Sequence, residues 1–214
     1  MSLRQLHNAI KRDLIQRCVN GRTYGTVRLL DVACGKGGDI AKWDFARLKS
    51  VVGIDVNLDN LINYSDGALV RYAKYKGQKH GGFDTTEIKF AMGDMTQINF
   101  AMTSAAAVAA EPVPDWLSVE SCLAATDLFD IVSCQFAMHY AFGTSDHLIA
   151  FLYNVLSHMT AGSYFIATCF DGKLIHEELL ASKLQAINMD NFMVTAKYDM
   201  EDFESSLVGL KINV

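Results

Sequence analysis

Residues 29–39 constrain this chain more than any others, reading Leu-Leu-Asp-Val-Ala-Cys-Gly-Lys-Gly-Gly-Asp. The apolar run 27–32 predicts a buried strand, Gly35, Gly37 and Gly38 allow a tight turn, and a helical pattern follows from Asp39. Strand, glycine turn and helix N-terminus in that order bring backbone N–H groups and the positive end of a helix close to a ligand. An anionic or strongly polar cofactor is therefore expected there. The spacing is neither Gly-x-Gly-x-x-Gly nor Gly-x-x-x-x-Gly-Lys-Ser/Thr, which counts against dinucleotides and nucleoside triphosphates. A second apolar run, 51–54, ends in Asp55. An acidic side chain at the end of the second strand of such a unit can accept both hydroxyls of a ribose.

Length and composition suit one globular domain spanning 1–214, with 50% hydrophobic and 20% charged residues. No uninterrupted apolar run approaches the roughly 18 residues of a membrane span, and the N-terminus lacks a signal-peptide apolar region. A soluble, intracellular protein without membrane attachment is expected, in nucleus or cytoplasm. Five cysteines without a Cys-x-x-Cys pair read as reduced thiols, and no His-Glu-x-x-His occurs, so no metal site is expected. The net charge of −5 is uneven: residues 1–80 hold 14 Lys and Arg against 7 Asp and Glu, residues 81–214 hold 5 against 17. Such a basic part can offer phosphates a favourable surface, although solvated helix faces would give the same count.

Helical spacing of Leu3, Leu6, Ile10 and Leu14 predicts a first helix over 2–18, with Asn8 and Lys11 on one face. Helices are expected over 40–48, 58–76, 147–158 and 172–184, and strands over 88–92, 128–134, 163–170, 192–198 and 207–214. Glycines make 77–82 a loop. The Ala-rich stretch 101–126, with Pro112 and Pro114, reads as a short helix and a surface excursion, a candidate insertion. Alternating strands and helices imply an α/β fold, a mostly parallel sheet covered on both faces, with its ligand at the carboxyl ends of the strands.

Residues 31–39, Asp55, Asp94 and Ser-Cys-Gln-Phe-Ala-Met-His-Tyr at 133–140 resemble the motifs of the messenger-RNA cap (guanine-N7) methyltransferases, and the shared pattern runs over about 8–168. The resemblance implies a Rossmann-like methyltransferase fold, S-adenosylmethionine as methyl donor with S-adenosylhomocysteine as product, and the capped 5′ end of mRNA as partner, with other capping domains or subunits as further partners. It places Lys11 at the methionine carboxylate, Asp94 at the adenine amine, and Asp31, Ala33, Gly35, Asp55, Gln135 and Tyr140 around the donor. On the cap side it places Phe136 as an aromatic wall, His139 at the guanine edge, Tyr140 against both ligands, and Asn8 and Arg71 near the cap, with Lys36 and Lys42 facing the cap phosphates. Trp43, of the Lys42-Trp43 pair, reads as core. An isolated Phe-x-x-His-Tyr would ordinarily be core packing with a satisfied histidine.

Methyl transfer to guanine N7 needs no general base, because that nitrogen carries a free lone pair. Orientation by Phe136, His139 and Tyr140 is the expected source of rate. Two alternatives remain: a methyltransferase acting on another RNA position, and a non-catalytic, donor-binding subunit that stimulates a capping partner. Ala33 gives the second some weight, since the family usually has glycine there. The family continues beyond a strand like 209–214 into a segment bearing a guanine-binding glutamate and a tyrosine. Glu201 and Glu204 precede that strand, so the chain is expected to be a fragment or shortened variant that keeps the donor site and holds the cap weakly.

Overall fold

A computed structural model describes residues 2–77, 86–101, 115–182, 186–188, 193–197 and 212–213. Helix α1, Leu3–Val19, is capped by Ser2, whose hydroxyl accepts from the Gln5 N–H while the Gln5 side chain accepts from the Ser2 N–H. Its apolar spacing is only half used. Ile15, Cys18 and Val19 are buried, whereas Leu3, Leu6 and Ile10 are exposed.

Strands β1 (Arg28–Val32), β2 (Ser50–Asp55), β3 (Glu87–Met92), β4 (Phe129–Gln135) and β5 (Met159–Thr168) form a parallel sheet in the order β3-β2-β1-β4-β5. Alternate residues feed two cores. Leu29 and Val51 meet Ile15, Trp43 and Leu61 on one face, and Leu30 and Val52 meet Phe100, Phe151 and Val155 on the other. Burial on both faces explains why the strands read as continuous apolar runs rather than as alternating ones. The connections carry α2 (Ile40–Phe45), α3 (Leu58–Ile62), α4 (Ala68–Gly77), α5 (Val119–Cys122) and α6 (Ser145–Ser157), with α7 (Gly172–Ala181) after β5. Short antiparallel pairings join β6 (Ile187–Asn188), β7 (Met193–Ala196) and β8 (Ile212–Asn213).

One expectation changes. The helix expected over 58–76 is two helices, because the Asn63 side chain and carbonyl bind the N–H groups of Ser65 and Gly67 and turn the chain. In the described part of 101–126, Leu117, Val119 and Leu123 are buried and Ser118 bridges Met92 of β3, while Asp115, Trp116, Glu120 and Ser121 are exposed. Pro112, Pro114, Leu184, Phe192, Tyr198, Glu201 and Glu204 lie outside the described residues, as do the loop after Gly77 and most of 207–214. Among the described residues no helix is long and apolar enough to cross a membrane.

Candidate functional site

The sheet reverses direction of growth between β1 and β4, and at the carboxyl ends of β1–β4 lies a cavity of about 370 Å³. Its walls include Ala33, Asp55, Asp94, Gln135, Phe136 and Tyr140. This is where parallel α/β sheets place ligands, and the volume suits a nucleoside-sized molecule.

Asp55 ends β2 and is tied to the glycine turn. Its Oδ2 accepts from the Gly35 N–H at 2.7 Å, and its Oδ1 accepts from the Asn57 N–H at 2.9 Å and Asn60 Nδ2 at 3.1 Å. A carboxylate has about four acceptor positions, so one on Oδ2 remains. Asp94 spends Oδ1 on the Thr96 N–H and hydroxyl at 2.9 and 2.7 Å, and its Oδ2 accepts nothing from the described residues. Gln135 is held by Thr168, whose hydroxyl donates to Oε1 at 3.0 Å, and its Nε2 donates to the Ser133 hydroxyl at 3.2 Å. These open acceptors on cavity walls fit a ligand carrying ribose hydroxyls and an exocyclic amine.

Ala33 begins the turn at φ 59°, in the left-handed region, as do Gly35 at 54° and Gly37 at 67°. For alanine that conformation costs about 1–2 kcal/mol. The strain sits beside the ligand cavity.

Beneath the turn lies a buried charge cluster. Asp39 Oδ1 stands 2.8 Å from both Lys11 Nζ and Lys42 Nζ as an ion contact, and Lys11 also donates to Oδ2 at 3.0 Å. Lys42 donates to Asn8 Oδ1 at 2.9 Å and thereby ties α1 to α2. Lys42 is only 6% exposed, so the expectation that it faces cap phosphates is overturned: its ammonium is already spent on Asp39 and Asn8. Asp31 is 3% exposed in β1. Burial and the neighbouring Asp39 carboxylate push its pKa up to about 8, against the lowering pull of Ser133 and Lys11.

The rim is aromatic. Phe136 sits at φ 59°, pinned by its N–H donating to the Thr168 carbonyl at 2.9 Å and hydroxyl at 3.1 Å, and its ring lies 4.3 Å from His7 of α1. His139 contacts Tyr140 at 4.2 Å and Phe170 at 5.7 Å between ring centroids. Its Nδ1 is buried without a hydrogen-bond partner among the described residues, and burial pushes its pKa down. Burial thus favours the neutral form of this ring. Tyr140 is 65% exposed. At a separate point Lys36 meets Asp66 at 2.8 Å, and Arg71 Nε donates to the Asp66 carbonyl at 2.8 Å.

A profile of the mRNA (guanine-N(7))-methyltransferase domain matches residues 1–213. The chain belongs to this family. It is 34% identical to the mRNA cap guanine-N(7) methyltransferase of Caenorhabditis elegans over 176 residues, 81% of this chain and 40% of that protein. It is 30% identical to mRNA cap guanine-N(7) methyltransferase 1 of Arabidopsis thaliana over 210 residues, 95% of this chain and 49% of that one. The chain thus spans less than half the length of these relatives. In fold it is similar to an S-adenosylmethionine-dependent methyltransferase from Clostridium acetobutylicum, with a TM-score of 0.50 at 16% identity over 88% of this chain and 61% of that chain.

For this cap-methyltransferase-family chain, the fold gathers Ala33, Asp55, Asp94, Gln135, Phe136 and Tyr140 on one cavity. Gly35 joins them through Asp55. Lys11, Asp31 and Asn8 stand behind the turn around Asp39, while Lys36 and Arg71 gather on Asp66 instead. Sequence reasoning missed Asn57, Asn60, Thr96, Asp39, His7 and Phe170. Asp39 had a signal, as the acid next to the glycines on the N-terminus of α2. His7 and Phe170 had none, because ring contacts between α1, β4 and the end of β5 are set by tertiary packing.

Proposed function

We propose that this chain transfers a methyl group from S-adenosylmethionine to N7 of the guanine that caps messenger RNA. The observation that carries the reading is the cavity at the strand ends, where the Asp55 and Asp94 walls face Gln135, Phe136 and Tyr140 in a chain of the cap methyltransferase family. The bound donor would supply an electrophilic methyl group on a sulfonium.

Asp55 would hold the ribose through its remaining acceptor position, and Asp94 the adenine amine through Oδ2. Asp31 and Lys11 would meet the methionine ammonium and carboxylate, Lys11 sharing its charge between that carboxylate and Asp39. Phe136, His139 and Tyr140 would fix the guanine ring, with Lys36 and Arg71 on the phosphate side. Guanine N7 carries a lone pair and no proton, so no residue has to act as base. Holding nitrogen and methyl carbon in line can supply about 7–11 kcal/mol through orientation alone. A neutral His139 also spares the developing N7-methylguanine cation a like-charge neighbour, and an aromatic face suits that cation.

Ala33 favours a second reading, a non-catalytic donor-binding subunit of a capping complex, since it is held at φ 59° on the wall of the cavity where the donor would sit. Incubation with labelled donor and RNA bearing a guanosine cap, a triphosphate or neither separates the two. Label on the capped RNA alone supports catalysis. Donor binding without incorporation into any RNA supports the subunit reading.

A further inference from the structure

Outside the cavity, one surface collects cations around a single loop. Residues 63–67 join α3 to α4, and the loop is rigidly built: Asn63 Nδ2 donates to Asp59 at 2.8 Å, and Asn63 receives the Ser65 N–H at 3.0 Å. Three cations converge on it. Lys36 from the glycine turn lies 2.8 and 3.0 Å from the two Asp66 oxygens. Arg71 donates through Nε to the Asp66 carbonyl, and Lys74 donates to the Ser65 carbonyl at 3.0 Å. Two carboxylates, Asp59 and Asp66, against three cations leave the loop with one surplus positive charge. The terminal nitrogens of Arg71 make no hydrogen bond to the described residues, and a lysine ammonium with one bond retains two donors.

In the same loop Tyr64 is 90% exposed, so its ring contributes almost nothing to the core. A bare aromatic ring on a loop that cations contact is what single-stranded nucleic acid exploits, with bases stacking on the ring while nearby cations neutralise phosphates. An acidic protein segment would use the cations but would have no need of the ring. The placement also suits a strand leaving the cavity: Asn60 lines the cavity wall, and the loop begins three residues further on, at Asn63.

We propose that Tyr64 and Lys74, beside Lys36 and Arg71, form a track for the RNA nucleotides that follow the cap; this rests on the cap reading above. Fluorescence anisotropy with a capped RNA of about ten nucleotides, its uncapped counterpart and a cap dinucleotide tests it, using the full chain and the Tyr64→Ala, Lys74→Gln double variant. The double variant should weaken RNA binding by about 5- to 100-fold and flatten the dependence of log affinity on log salt by about 0.7, the share of one phosphate contact on a single strand. Affinity for S-adenosylhomocysteine and for the cap dinucleotide should not change. Unaltered RNA affinity would overturn the track, as would an equal loss for the dinucleotide. So would RNA affinity that survives while binding of an acidic peptide is lost, which would make the surface a protein-docking one. Failure of the cap reading has a different signature, equal binding of capped and uncapped RNA by the unaltered chain.

Discussion

Asp31, in the middle of β1, is an acid the fold keeps from water. Its pKa of about 8 lies above that of an unfolded aspartate, so its stabilising contribution is complete below about pH 4 and is lost as the pH rises through 8. Asp31→Asn keeps the shape and removes the ionisation. Urea titrations should show the variant gaining on the unaltered chain from pH 4 to 8, by on the order of a few kcal/mol at the alkaline end, while donor affinity falls; a gap that does not vary with pH would show Asp31 ionised in the fold. Asp55→Ala should weaken binding of S-adenosylhomocysteine by at least about tenfold, since hydrogen bonds to a charged acceptor contribute roughly 1.5–3 kcal/mol each. Calorimetry giving an unchanged dissociation constant in a folded variant would take the donor away from the end of β2. His139→Ala should divide the two functions, leaving donor affinity nearly intact and lowering transfer to capped RNA; equal loss of donor affinity would make His139 structural. The position of Asp55 on the cavity wall was legible because it depends only on a strand end. Lys42 was misread for the opposite reason: its partners Asn8 and Asp39 come from α1 and from the turn, and only packing brings them to one ammonium.

At the scale of elements, the glycine turn works through contacts as well as dihedrals. A Cβ on Gly37 would lie 2.8 Å from Ile40 Cδ1 and 3.3 Å from Ala68 Cβ, at φ 67°. Gly37→Ala should therefore cost about 1–2 kcal/mol through its backbone alone, with more from displacing α4 against α2. A thermal melt indistinguishable from that of the unaltered chain would mean the turn relaxes freely. Buried parallel strands were readable as apolar runs, since both faces of β1 and β2 are covered. The break between α3 and α4 was not, because Asn63 ends the helix by accepting the Ser65 N–H and hydroxyl on its side chain, which leaves the 3.6-residue pattern on either side unbroken. Residues 115–123 looked peripheral by composition, yet their few large apolar side chains close the sheet beside β3.

For the whole molecule, the basic surplus of residues 1–80 now has addresses. Lys11 and Lys42 neutralise Asp39 behind the turn, and Lys36, Arg71 and Lys74 meet on the 63–67 loop. Part of the surplus is thus buried structure and part is surface able to meet phosphates, a division that the charge count could not reveal. The proposed donor half of the site depends on strand order, which alternating strands and helices made legible. The proposed cap half depends on how α1, the end of β4 and the end of β5 meet, which no local pattern encodes. Both halves must act together for the proposed reaction. The most direct measurement is to methylate guanosine-capped RNA with this chain and labelled S-adenosylmethionine, digest the product to nucleosides and locate the label. The account predicts label in N7-methylguanosine from the cap, whereas label in a 2′-O-methylated nucleoside, or on internal bases with the cap untouched, would contradict it.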